Sequence, residues 1–258
     1  MINLKKGDIV GRISHNMDII FVIKEVVGNT AYLQGLYVRL IADSDVSDLV
    51  LIDDISLNRY KESKQEYEQN IISSYKKKIG HITGKILHLD SDAFYLTKCL
   101  NLYKSLGLYA YGVELNEESM AEHILDYIAK IRPNIIVLTG HDSYNNKGLE
   151  DLRNYRNTLN FIKAVAKIRS FYSLDDICIF AGACGSNAES LIAAGANFAS
   201  SFDRKNIEAY DPAIVAIMVA ITPFNQEVDI ESIYNFSKMQ RGSIGGIETL
   251  GKMRLLVR

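Results

Sequence analysis

The sequence predicts an α/β protein in which an open, mainly parallel sheet with helices on both faces follows a small N-terminal β-barrel of SH3-like or Tudor-like type. Three observations predict it. From residue 84 to 200, short apolar runs alternate with amphipathic stretches of helix length, the signature of β-α-β units. Residues 1–52 instead carry only short β-branched and aromatic runs broken by turn residues. Between the two, residues 53–81 read polar, charged and free of proline, as a linker or an exposed helix does. The expected organisation is a β module over 1–52, a charged connector over 53–81 and the α/β domain over 82–258.

In the β module, "DIVGRI", "IIFVIKEVV", "TAYLQGL", "YVRLIA" and "SDLVLI" are the strand candidates, and Gly28-Asn29 between two of them is a hairpin turn signal. The run Lys76-Lys77-Lys78 reads as a solvated face or a protease-sensitive site. In the α/β domain "GKILHLD", "LYAYGVEL", "NIIVLTG", "ICIFAGA" and "NFASS" are strands. The helices are "DAFYLTKCLNLYKSLG", "EESMAEHILDYIAKI", a long one over 149–171, "NAESLIAAG", and "PAIVAIMVAIT" with Asp211 as its N-cap. "MRLLVR" is a candidate last strand, and the glycine-rich "RGSIGGIETLG" a loop near the cleft, since it lacks the strand-before, helix-after context of a phosphate loop.

The totals exclude several function classes. A formal charge of −2 gives no global field toward nucleic acid or an anionic membrane, and Arg12, Lys24 and Arg39 are not clustered, so no nucleic-acid role is expected. No stretch approaches membrane-spanning length and no N-terminal apolar leader is present, so no membrane role is expected. Three cysteines and five scattered histidines form neither a disulfide framework nor a zinc signature; reduced thiols in a cytosolic type of compartment, and no metal or organic cofactor, are the expectation.

In an open α/β sheet the site lies at the carboxyl ends of the strands. Those ends carry Asp90 and Asp92, then Gly140, His141 and Asp142, then Cys184, then Ser200, Ser201 and Asp203. A cysteine and a histidine on neighbouring parallel strands have the geometry of a thiolate and its base. Ser186 followed by Glu189 reads as a capping box, which would open a helix just after Cys184 and aim its N–H groups at the sulfur. Gly182 and Gly185 permit the tight turn between them. Cys99 and Cys178, mid-helix and mid-strand, read as buried filler, and so does His88 inside its strand. No third residue stands out as an orienter of His141, so a Cys-His dyad is expected.

An apolar strand ending in a histidine motif, a helix, and an apolar strand ending in Ala-Cys resemble the caspase-hemoglobinase superfamily of cysteine peptidases. His141 and Cys184 are 43 positions apart, which suits that family's interval. More closely, "VRLIADSDVSDLV", "GKILHLDSDAFYLTKCLNLYKSLG", "LTGHDSYN", "FAGACGSNAESLIAAGANFASS" and "GGIETLG" resemble the YabG family of sporulation-specific cysteine peptidases nearly end to end. That resemblance implies a caspase-like fold and an endopeptidase made in the sporulating mother cell, then associated with the spore coat, whose proteins it cleaves after arginine. It implies His141 as general base and acid and Cys184 as nucleophile. The order Gly140-His141-Asp142 departs from the superfamily's His-Gly, so the amides of Gly140 and Asp142 join that of Cys184 as oxyanion donors. An arginine pocket needs a carboxylate. By the superfamily's placement the acid is Asp90, then Asp92, which also suits a helix N-cap, with Asp203 third and Ser200 and Ser201 pairing with substrate backbone. Activation by cleavage in the connector is compatible with this reading, and the β module would take a docking partner.

Two other readings compete. Asp90, Asp92 and Asp142 with Lys205 imitate a phospho-acceptor pocket with magnesium, as in a receiver-like signalling module. A non-catalytic docking protein of the spore surface would keep the fold without the chemistry.

Overall fold

A computed structural model describes residues 4–75, 80–236 and 241–256. The chain divides into two compact units, Met1–Glu68 and Gln69–Arg258. The first holds β1 (Ile9–Arg12), β2 (Phe21–Val27), β3 (Thr30–Gly35), β4 (Ile41–Asp45) and β5 (Leu49–Leu51) in an antiparallel sheet of order β4-β3-β2-β1-β5. Gly28, with φ of +59°, turns β2 into β3 through the two-residue loop that the sequence marks. Val10, Phe21, Ile23, Ala31 and Leu33 bury one face of it. Among the described residues no β4–β5 pairing closes the expected barrel, and an antiparallel sheet is what stands. The polar segment that follows is α1 (Asp54–Ser74), within which the boundary between the units falls. The lysine run 76–78 lies outside the described residues.

The second unit contains β6 (His81–Ile82), β7 (Ile86–Asp90), α2 (Ala93–Ser105), β8 (Ala110–Glu114), α3 (Glu117–Ile131), β9 (Ile135–Thr139), α4 (Thr158–Arg169), β10 (Cys178–Ala181), α5 (Ala188–Ala193), β11 (Phe198–Ser200), α6 (Asp211–Ile221), α7 (Ile230–Phe236), β12 (Ile244–Gly246) and β13 (Arg254–Leu255). Six of these strands form one sheet in the order β12-β11-β10-β9-β7-β8, parallel except for β12. Alternate residues face opposite ways along a strand. Leu87, Leu89, Ile136, Leu138 and Ile179 therefore join α3, α4 and α5 in one core. Ile86, His88, Val137 and Phe180 point to the other face, where α2 and α6 pack. α6 is apolar all round and almost wholly buried, as a helix covering a sheet and itself covered must be.

Four local expectations are corrected. The helix expected over 149–171 begins only at Thr158, because the buried Asp142 carboxylate takes the Asn157 N–H and the Thr158 hydroxyl; Leu152–Asn154 forms a separate 3-10 turn capped by Asp151. "MRLLVR" does not join the main sheet: β13 pairs with β6 in a two-stranded sheet. The sixth strand comes from the glycine-rich segment expected as a loop, where Gly245 and Gly246 lie so close to Phe202 and Phe198 that a β-carbon would collide with their rings. Asp211 opens α6 as its first residue, after Tyr210 at the N-cap, and its carboxylate turns back to the Glu208 N–H.

Candidate active site

Parallel pairing fixes how the two central strands deliver their ends. Leu138 of β9 pairs with Ala181 of β10, and His141 and Cys184 each stand three residues further on. The chain leaves β10 through Gly182 and Gly185, with φ of +112° and +74°, values that disfavour any side chain. It leaves β9 through Gly140, where a β-carbon would meet Glu117 Oε1 and Ser91 Oγ.

His141 is held from three sides. Its N–H donates to Glu117 Oε1 at 2.7 Å, its carbonyl accepts from Asn157 Nδ2 at 2.8 Å, and its ring Nε2 lies 2.9 Å from Asp92 Oδ2. Tyr95 packs edge-on against the ring. Asp92 is also the N-cap of α2, accepting the Phe94 N–H at 2.9 Å, as the capping reading of that residue anticipates. Burial works to raise the Asp92 pKa, but the hydrogen bond and charge of His141, with the Phe94 N–H, outweigh it and hold the carboxyl below its ordinary value.

Asp142 faces away from solvent. Its Oδ1 accepts from the N–H groups of Ser143 and Asn157, and its Oδ2 from Thr158 Oγ1 and Ser186 Oγ, all between 2.5 and 2.8 Å. Ser186 Oγ in turn accepts the Ala183 N–H, and Thr158 Oγ1 the Asn187 N–H. One buried carboxylate thus ties the loop after β9, the start of α4 and the loop after β10 together. It also overturns the capping-box expectation: Ser186 is spent on this brace, Asn187 caps α5, and Glu189 pairs with Arg204.

Cys184 is 4% exposed. Its Sγ accepts the Ile207 N–H at 3.2 Å and lies 3.9 Å from the Ile207 carbonyl, so the segment after β11 covers the thiol. Ser201 Oγ accepts the Gly185 N–H and donates to the Lys205 carbonyl, while Ser200 Oγ donates to the Ala183 carbonyl. Both serines brace these loops. Asp203 is 57% exposed and lies 3.0 Å from Lys205 Nζ. Asp90 is fully buried, with Oδ1 accepting the Asp92 N–H and Oδ2 3.7 Å from His88 Nε2. Cys178, inside β10, has its thiol pushed up to about 12 by burial, against the pull of Lys252 and Arg169, and Cys99 donates to the Ala209 carbonyl.

Hydrogen bonds join Asp92 to His141, Asp142 to Ser186, and Ser200 and Ser201 to the residues on either side of Cys184, while Asp90 lies enclosed beneath Asp92 and Asp203 stands on the covering segment. Sequence reasoning missed Glu117, Asn157, Thr158, Ile207 and the pairing of Asp92 with His141. For the last the signal was the N-cap position itself, which aims a carboxylate at the mouth of a strand end. Among the described residues no group of three or more His, Cys, Asp or Glu side chains could hold a metal ion, and with Asp142 filled by four donors and Lys205 turned to Asp203 the magnesium phospho-acceptor reading has no support. No helix among the described residues is long and apolar enough to cross a membrane.

The family model of YabG peptidase U57 matches residues 5–258. The chain is 40% identical to the sporulation-specific protease YabG of Bacillus subtilis (strain 168), with 96% of each chain covered. With the match covering nearly the whole chain, the chain belongs to the YabG family of sporulation proteases.

Proposed function

We propose that this sporulation-associated peptidase is a cysteine endopeptidase of caspase-like fold that cleaves spore coat proteins after arginine, with Cys184 as nucleophile and His141 as general base and acid. The observation that carries the reading is the register of β9 and β10, which sets His141 and Cys184 at the same distance past paired residues on adjacent parallel strands. The Ile207 N–H on Sγ adds a donor suited to a thiolate.

In this mechanism the thiol proton passes to the imidazole and Sγ adds to the scissile carbonyl. Backbone N–H groups around Cys184, Gly140 and Asp142 take the oxyanion. Collapse breaks the C–N bond as the imidazolium protonates the leaving amine, leaving an acyl-thioester. Water then gives its proton to His141, attacks the thioester and releases the acid and the thiolate. With Cys184 4% exposed and its sulfur under Ile207, the segment around Ile207 moves aside before substrate enters. Asp203, paired with Lys205 on that segment, is the most exposed of the three sequence candidates and would exchange that lysine for a guanidinium; Asp90 is enclosed. The N-terminal sheet reads as an SH3-like docking module for a protein partner, beside a peptidase domain over 82–258.

The test is turnover of fluorogenic peptides carrying Arg, Lys, Asp or Asn before the scissile bond, by wild type, Cys184→Ala and Asp203→Asn. Arg-selective turnover that vanishes in Cys184→Ala and loses its Arg preference in Asp203→Asn supports the reading. Turnover that survives Cys184→Ala contradicts it, and a wild type that cleaves none of the peptides or coat proteins leaves the docking-protein alternative in its place.

A further inference from the structure

The geometry points to Asp92 as a third member of the site, a positioning residue that fixes the tautomer of His141 and stabilises its imidazolium. This rests on the Cys184–His141 reading above and adds a residue to it.

An ionised carboxylate only accepts hydrogen bonds. At 2.9 Å from Asp92 Oδ2, Nε2 of His141 is therefore the nitrogen that carries hydrogen, and the neutral ring keeps its lone pair on Nδ1. Nδ1 is then the atom that takes the proton from Sγ and returns it to the leaving amine, while the Nε2 hydrogen stays on its nitrogen throughout. When Nδ1 gains the proton, the positive charge forms beside a carboxylate whose Oδ1 is already fixed by Phe94 N–H. The contact is partly shielded, with His141 and Asp92 side chains 20% and 12% exposed, so it is less screened than a surface pair.

Asp92 is itself placed from behind. Its N–H donates to Asp90 Oδ1 at 3.0 Å, and Asp90 is enclosed with His88, whose Nδ1 lies 3.0 Å from the Tyr103 hydroxyl on α2. The sequence from β7 into α2 thus supplies a rigid support that ends in one carboxylate oxygen aimed at the histidine. On the other side, the Glu117 and Asn157 bonds to the His141 backbone hold the ring's base in place. Rotation of the imidazole would break the Asp92 contact, which is how the carboxylate selects one ring orientation.

The dual role of Asp92 as N-cap gives the test its control. Asparagine and serine cap helices about as well as aspartate, so Asp92→Asn and Asp92→Ser keep the α2 cap while removing the charge. Asparagine can in addition donate to Nε2, which moves the ring hydrogen to Nδ1 and blocks the base. The experiment measures kcat and KM for an Arg peptide from pH 5 to 9 and the histidine ring nitrogens by 15N NMR, on the full chain, for wild type, both variants and His141→Ala.

The expected result is a kcat lower by about 10²-fold in Asp92→Asn with KM within about threefold. In wild type the neutral His141 signal reports hydrogen on Nε2, and in Asp92→Asn it reports hydrogen on Nδ1, with both variants folded by circular dichroism. A kcat within threefold of wild type in both variants, or a wild-type ring with hydrogen on Nδ1, overturns the assignment of Asp92. Undiminished turnover in His141→Ala overturns the Cys-His reading itself, so the two failures are told apart.

Discussion

Two histidine-aspartate pairs draw their acids from the end of β7, one with its histidine inside the same strand and the other with its histidine just past β9, and their surroundings give them opposite uses. His88 and Asp90 lie 3.7 Å apart with no exposure, closed in by Tyr103 and the Asp92 N–H. His141 and Asp92 lie 2.9 Å apart and keep an edge to solvent. A buried pair is a support whose cost is desolvation and whose use is to specify one arrangement. A pair with one open nitrogen can move a proton. The same contrast separates Cys178, at the buried start of β10 with its thiol pushed up to about 12, from Cys184, six residues on in the loop past the strand's end, where a backbone N–H meets the sulfur. Residue type is shared in both cases; the difference lies in the place along the strand.

If this division holds, substitutions on the open side change turnover and those on the closed side change stability. The largest effect is expected for His141→Ala, which loses about 10²- to 10⁴-fold in kcat/KM while the thermal midpoint stays near wild type. Asp142→Ala comes next: four donors lose their acceptor at once, and urea unfolding is expected to show a loss of about 3–5 kcal/mol. A loss under 1 kcal/mol there would mean that the brace between the two loops is not what holds them. Asp90→Asn is expected to cost about 1–3 kcal/mol in the same unfolding experiment and to leave kcat per folded molecule within about threefold. Should Asp90→Asn slow turnover as much as Asp92→Asn, the two pairs work as one relay and the contrast drawn between them fails.

The smallest effect is the pH dependence of stability. The Asp92 carboxyl is held below its ordinary value of 3.8, so it binds a proton less readily folded than unfolded. Its contribution is complete above that value and is lost as pH falls through the lower folded value. Acid unfolding followed by circular dichroism should therefore be less steep below pH 4 in Asp92→Asn than in wild type. An unchanged acid limb would mean that His141 does not hold the carboxylate ionised.

Much of this architecture is legible in the sequence, for a physical reason. Apolar strands such as "IIVLT" and "CIFA", buried on both faces, announce a parallel sheet, and the rule that ligands meet strand carboxyl ends brings His141 and Cys184 forward. The periodicity over 149–171 was misleading because a carboxylate from another strand end decides where α4 starts. Ser186 and Glu189 have the spacing of a capping box, yet a serine hydroxyl has more than one possible partner, and here the buried Asp142 wins it. The pairing of Asp92 with His141 spans 49 residues, a distance at which spacing carries no signal. The cover over Cys184 is made by backbone atoms of Ile207, and backbone contacts leave no trace in residue type.

The most direct measurement is to incubate the folded chain with a peptidyl-arginine acyloxymethyl ketone and map the adduct by mass spectrometry. The account predicts one adduct per chain, on Cys184, absent from Cys99 and Cys178, blocked by an Arg peptide and abolished in Cys184→Ala. An adduct on another residue, or Arg-peptide turnover that persists after Cys184 is removed, would contradict it.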